Sequence, residues 1–317
     1  MWKYSVSIII LISLLSLSSC REMKHIVIPT NDYNLLIVPD LSNRINQEIH
    51  PKPLHDTILI DEFIGNIKAL LKVRNRSINQ YDIYKFDFIN RGILNKGNVN
   101  VDNLLIDFGR FKNDVLKAAD FKRDSLARRG LAFMNTVKGI YDYSLDNSCG
   151  ADIWNYFDET IKSSLLKTDT VRLITQDGDT LLRNNKNVVV LFTDGYIENA
   201  NNTKGYVLNE SMIKQIRNDY LTSKSTDLDK FICSNPNYLL KRTNNQLNNV
   251  NVIILELIDR SLDRNGVALV QPTDFQIMKI LWKKWLKDSG CPHVEVYQAV
   301  NSKEQVLEYL KSFMEKI

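Results

Sequence analysis

Apolar residues along this chain follow two rhythms. Runs at 35–38 (LLIV), 188–192 (VVVLF) and 250–258 (VNVIILELI), the first two unbroken and the third nearly so, are too short for helices and rich in β-branched residues, so they predict buried strands. Between them lie segments with helical spacing. From Asp56, "DTILIDEFIGNIKALLKV" puts Ile60, Phe63, Ile64, Ile67, Leu70 and Leu71 on one face. "RRGLAFMNTVKGIYDYSL" and "GADIWNYFDETIKSSLL" predict two more helices, the second with Asp152 in its first turn, where the helix dipole favours an acid. "NESMIKQIRNDYL" opens on an N-cap asparagine. "TDFQIMKILWKKWLKDSG" is amphipathic and capped at both ends, with Phe275, Met278, Leu281, Trp282 and Trp285 inward and Trp285 towards the edge.

The remaining strands alternate. "YDIYKFDFI" (81–89) has one polar side, and "NLLIDF" is a candidate second strand of a hairpin with it. "DTVRLITQDGDTLL" predicts a hairpin turning at Asp177-Gly178. "HVEVYQAV" predicts a last strand and "SKEQVLEYLKSFMEKI" a closing helix. Apolar strands without alternation, separated by helices, are what a parallel sheet covered on both faces requires. The expected fold is therefore α/β, a doubly wound, mostly parallel central sheet flanked by helices. No internal repeat interrupts the pattern, and the polar, asparagine-rich stretch 222–249 is expected to be a long excursion inside one domain.

The first twenty residues break this pattern. "MWKYSVSIIILISLLSLSSC" has an early lysine, an apolar stretch from Val6 to Leu17, and small residues ending at Cys20. The stretch is too short to span a bilayer stably and fits a secretory signal. Leu17-Ser18-Ser19-Cys20 looks like a bacterial lipobox, in which Cys20 is acylated; the competing reading is a plain signal peptide that contains a cysteine. The expected organisation is a signal peptide (1–19), a tether (20–32) and one domain (33–317), lipid-anchored in a bacterial cell envelope and facing the periplasm. Cys149, Cys233 and Cys291 are widely spaced, with no zinc pattern and no evident disulfide framework.

Composition narrows the function classes. With 44% hydrophobic and 25% charged residues, the chain has the material for a real core. The formal charge of +4 is read as spread along the chain, which does not suggest nucleic acid. The one local basic cluster, Lys122, Arg123, Arg128 and Arg129, alternates with Asp120 and Asp124 and reads as a solvated helix face. His50 and His55 share a loop with two prolines and read as solvated.

In an open parallel sheet, ligands bind beyond the carboxyl ends of the strands. Two apolar runs end there in aspartate, at Val38-Pro39-Asp40 and Phe192-Thr193-Asp194, and the Cys149-Gly150-Ala151-Asp152 loop is placed to join them. "IVPDLSNRI", "GADIWNYF" and "VVVLFTDG", in that order, resemble the von Willebrand factor A (vWA) domain and its metal-ion-dependent adhesion site. The resemblance spans about 33 to 317 and implies a vWA-like fold that mediates protein–protein interaction. Carried over residue by residue, it makes Asp40, Ser42 and Asp194 metal ligands and Asn43, Arg44 and Asp152 partner-binding residues. Arg44 stands where the pattern has a second serine, and Ala151 where it has a threonine. Two neutral oxygen ligands are missing, and a permanent positive charge occupies the cation's neighbourhood. Magnesium binding is therefore expected to be weak or absent.

Two other readings stand beside it. A metal-dependent hydrolase would use Asp40 and Asp194 on Mg²⁺, but neither strand end carries an Asp-x-Asp pair, and the chain has no Gly-x-Ser-x-Gly elbow and only 12 glycines from which to build a phosphate loop. Alternatively, the aspartates serve structure alone and binding falls to a charged insertion at about 108–130. The partner expected is an unidentified protein, the membrane is touched through the N-terminal lipid only, and no enzyme activity is expected.

Overall fold

The apolar runs do form strands. The computed structural model describes residues 26–76, 80–89, 92–96, 99–112, 114–147, 150–164, 166–167, 170–174, 179–198 and 207–317; Cys20, Cys149 and the Asp177-Gly178 turn lie outside them, as does the leader 1–19. Seven strands are β1 (Val27–Pro39), β2 (Ile83–Phe86), β3 (Leu105–Asp107), β4 (Val171–Ile174), β5 (Thr180–Phe192), β6 (Val250–Leu257) and β7 (Val294–Gln298). They pair in the order β3-β2-β1-β5-β6-β7, with β4 joined to β5 off that path. The β1/β2, β5/β6 and β6/β7 pairs are parallel, whereas β3 and β4 each pair antiparallel. The expected doubly wound, mostly parallel α/β sheet is what the chain forms.

Both faces of this sheet are buried, which explains why the strands do not alternate. Along β1, Leu35 and Ile37 point into one core and Leu36 and Val38 into the other. The same split recurs in β5, where Val188, Val190 and Phe192 oppose Val189 and Leu191. The first core is closed by α1 (Asp56–Gly65), α2 (Leu126–Asn147) and α7 (Lys303–Lys316). The second is closed by α3 (Ile153–Asp158), α4 (Glu210–Ser223), α5 (Leu228–Cys233) and α6 (Asp274–Asp288). Helix starts follow their caps: Asn209 accepts from the Met212 amide, and Thr273 with Gln276 forms a capping box on α6.

By its contacts the chain divides into a small unit, 1–30 with 170–184, and a large one, 31–169 with 185–317. In the small unit, β4 pairs with the start of β5, and the Thr180 amide donates to the Ile26 carbonyl at 2.9 Å. Everything below concerns the large unit.

Several expectations need correction. The hairpin strand and the VVVLF strand are one element, because the polar stretch between them continues the extended backbone of β5. Trp285 is 1% exposed, its ring tilted against that of Trp282 at 5.2 Å in the core and not at an edge, while Phe275 is only partly buried. The helix expected from Arg128 begins earlier: Val115–Asp120 runs through a wide π-type turn, Phe121–Ser125, into α2. The excursion 222–249 carries α5 and a Pro236–Tyr238 turn.

Candidate functional site

Counting only the strands of the main path, the order reads 3-2-1-4-5-6, and β1 and β5 flank the point where it reverses. The chain leaves β1 at Asp40, whose amide donates to the Phe192 carbonyl at the end of β5 (2.8 Å). Thr193 follows, fully buried, and its hydroxyl donates to Asp40 Oδ2 at 3.2 Å. Asp194 comes next, close enough for its charge to push the Asp40 carboxyl upward. Gly195 closes the turn at φ +95°, where a Cβ would come within 2.8 Å of Leu257 and 2.9 Å of Met278. The Thr-Asp-Gly sequence is thus set by packing as much as by chemistry.

The centre of the site is a guanidinium. Arg44 sits in a short turn (Asn43–Ile45) and is 5% exposed. Its Nη2 donates to Asp56 Oδ2 at 2.5 Å and to the Phe192 carbonyl at 2.8 Å, and its Nε stands 3.6 Å from Asp40 Oδ2. Asp56, the first residue of α1, is fully buried and also takes Lys52 Nζ on Oδ1 and the Tyr141 hydroxyl on Oδ2 at 3.0 Å. Burial alone would raise the Asp56 carboxyl, but Arg44 and Lys52 outweigh it and hold the group below the usual carboxylate range. For Asp40 the balance goes the other way: burial raises its pKa, and Arg44 offsets that only in part. Burial presses the Arg44 guanidinium down, and Asp56 and Asp40 more than reverse that, so it stays charged.

One more acid stands near. Glu256 lies at an irregular step between β6 and β7, at φ +73°, a conformation that non-glycine residues seldom adopt. It is 1% exposed, and among the described residues neither carboxylate oxygen has a close hydrogen-bond partner, the Val300 amide favouring its charged form only weakly. Burial first and the Asp56 charge second push it up to about 7.

A pocket of about 410 Å³ opens here, lined by Arg44, Lys52, Arg260, His50, Asp194 and the apolar Ile49, Pro51 and Ile258. Arg260 donates to Asp194 Oδ2 at 3.2 Å and lies over the Tyr196 ring at 3.9 Å. Asp40 and Asp56 do not line the pocket, so the counter-charges of Arg44 and Lys52 stand behind it, whereas Asp194, the counter-charge of Arg260, lines it.

The residues present do not fit a magnesium ion. Asp40 faces Arg44, Ser42 offers its amide to Asp40 Oδ1 at 3.0 Å, and Asp194 is engaged by Arg260. Among the described residues no group of three or more histidine, cysteine, aspartate or glutamate side chains is placed to hold a metal. Of the residues expected at the site, Asp40, Ser42, Arg44 and Asp194 do come to one sheet edge. Asn43 is exposed beside them, while Asp152 caps α3 by accepting from the Asn155 amide at 2.9 Å. His55 is not a solvated loop residue: it caps α1 and meets Tyr141 edge-on at 5.1 Å. Sequence reasoning missed Lys52, Asp56, Tyr141, Glu256 and Arg260. The Lys52-to-Asp56 spacing of four, across the start of a helix, was the one readable hint.

Comparison with protein-family models finds no match, and comparison with curated proteins finds none either. Among solved structures the chain is similar to the conserved hypothetical protein BatB from Bacteroides thetaiotaomicron, with a TM-score of 0.35 and 9% identity, covering 90% of this chain and 98% of that one. So distant a likeness carries no argument, and the α/β class rests on the strand order itself.

Proposed function

We propose that this chain is a bacterial envelope lipoprotein, acylated at Cys20 and facing the periplasm. Its vWA-like domain docks a protein partner at the carboxyl edge of the sheet without needing magnesium. The observation that carries this reading is Arg44, held between Asp40 and Asp56 where the resemblance would put the cation. A fixed guanidinium keeps the loop in shape with no metal, and the partly exposed Arg260 brings a second guanidinium to the pocket. The partner group this suits is a carboxylate, to which a guanidinium donates in a fork. Exposed Asn43 and Ile49, the latter 63% exposed, supply a rim of the polar-and-apolar kind that interfaces use. The apolar tip of the loop after β6, with Val267 60% and Leu269 68% exposed, follows the same strand end and extends that surface.

The test is capture of the partner from membranes by the purified chain, with and without EDTA. Capture that survives EDTA and is lost in Arg260→Glu supports the reading; capture that requires magnesium sinks it. Incorporation of labelled palmitate, abolished in Cys20→Ala, tests the anchor separately.

A further inference from the structure

A second cationic site stands far along the chain from Asp40, at the head of the long helix, and it lacks what neutralises the first. Residues 110–132 hold seven basic and three acidic side chains, an excess that by itself equals the +4 of the whole chain. The charge is therefore concentrated and not spread. The three acids are already engaged: Asp120 and Asp124 by Arg123, and Asp114 by Lys117.

What remains is a pocket of about 420 Å³ lined by Arg110, Phe121, Ser125, Arg128, Arg129 and Ala132, with no carboxylate among them. None of its three arginines forms an ion pair with a described residue. Two are nevertheless held in place by neutral partners. Arg129 donates from Nε and Nη2 to the Leu105 carbonyl (3.2 and 3.0 Å) and from Nη2 to that of Asp102, which leaves Nη1 unused. Arg110 lies over the rings of Phe111 and Phe121, at 4.7 and 4.5 Å. Carbonyls and ring faces fix a guanidinium without cancelling its charge. The π-type turn Phe121–Ser125 forms one wall, and such turns inside helices are often found at functional sites.

We propose that this pocket binds a phosphate group, held by Arg110, Arg128 and Arg129 with the Ser125 hydroxyl as a further donor. Planar forks lining one pocket suit the oxygens of a phosphomonoester, and holding Arg110 and Arg129 in place beforehand lessens the entropy lost on binding. The group has two sources, a free organophosphate or a lipid headgroup. Leu131, 63% exposed beside the arginines, would meet the acyl part of a lipid.

Calorimetric titration of the purified full chain tests this with two soluble probes, glycerol 3-phosphate and dihexanoylphosphatidic acid. The expected result is saturable binding of at least one, weakened roughly tenfold by Arg128→Ala and by Arg110→Ala but not by Lys279→Ala, which removes a cation elsewhere. Arg128→Lys, which keeps the charge and loses the fork, is expected to fall between. Tighter binding of the lipid assigns the site to a headgroup, and equal binding assigns it to a free phosphomonoester. Binding of neither probe at millimolar concentration overturns the proposal. So does binding that both arginine variants leave unchanged, or that Lys279→Ala weakens equally. Unchanged circular dichroism of Arg128→Ala, a substitution at an exposed position, separates lost binding from lost fold.

Discussion

Asp40 and Asp194 end neighbouring strands, both after an apolar run and both at the same sheet edge, yet they do different work. Asp40 is 3% exposed, faces Arg44, and accepts from Thr193 and the Ser42 amide. Asp194 has its side chain 13% exposed, faces the pocket, and is held by Arg260, itself 28% exposed. The first carboxylate belongs to a closed electrostatic cluster in which removing any member strands another. The second belongs to a surface that remains open to a partner. Two aspartates with the same sequence signature are thus divided by depth, and depth decides whether a charge stabilises the fold or serves binding.

The largest effect should come from the closed cluster. Arg44→Ala leaves Asp56 with one cation in place of two and Asp40 with none, both buried. Breaking a buried pair in this way costs about 3–5 kcal/mol. Urea denaturation should therefore show a much lower midpoint with an unchanged slope. A loss under about 1 kcal/mol, the size expected of a surface pair, would erase the distinction between the two aspartates.

Glu256 sharpens the comparison from the other side, because it is a buried acid with no ion pair among the described residues. Its folded pKa of about 7 lies above the ordinary 4.5, so between those values the native state binds more protons than the unfolded chain. Stability is then full below about pH 4.5 and falls as pH rises towards 7, by about 3 kcal/mol in all. Glu256→Gln has no proton to lose. It should match the wild type near pH 4 and exceed it by up to about 3 kcal/mol near pH 8 in paired denaturation curves. Equal curves at both pH values would mean that Lys52 or Arg44 already neutralises Glu256.

These contrasts also mark how far the sequence could be read. The sheet was legible because unbroken apolar runs have one physical cause, burial on both faces, and the strand ends located Asp40, Ser42, Arg44 and Asp194 together. Arg44 was legible as an obstacle to metal and, as a fixed positive charge beside two carboxylates, as a residue that could pair with Asp40 or Asp194. Its main partner, Asp56, lies twelve positions on and reads only as the start of a helix. Glu256 hid in "VNVIILELI" because an isolated polar residue in an apolar run, like Asn251 before it, looks like a strand's exposed side, and here there is no exposed side. Trp285 was placed at an edge because helical spacing gives a face but not the depth of the layer above it. Pairing of charges, like layer depth, is decided by tertiary contacts that local pattern does not contain.

A metal titration asks whether Arg44 stands in for the cation. Wild-type melting should not respond to magnesium. Arg44→Ser removes the guanidinium and adds a hydroxyl oxygen beside Asp40 and Ser42, so this variant should regain stability when magnesium is added. At a concentration a hundredfold above the dissociation constant the gain is about 2.7 kcal/mol, read as a shift in melting temperature. Magnesium stabilising the wild type equally would show that guanidinium and metal do not exclude each other.

The smallest effect on stability falls to the open aspartate, and it is the most informative one about function. Asp194→Asn removes one partly exposed ion pair while keeping a side-chain oxygen for the Tyr196 amide, which now donates to Asp194 Oδ1 at 3.2 Å. The expected loss is within about 1 kcal/mol by chemical denaturation. The same change frees Arg260 from its counter-charge at the mouth of the pocket, so an acidic partner should bind more tightly to Asp194→Asn than to the wild type. A partner that bound through Asp194 itself would bind more weakly. One variant, nearly silent in stability, therefore reports whether the open edge receives an anion or offers one.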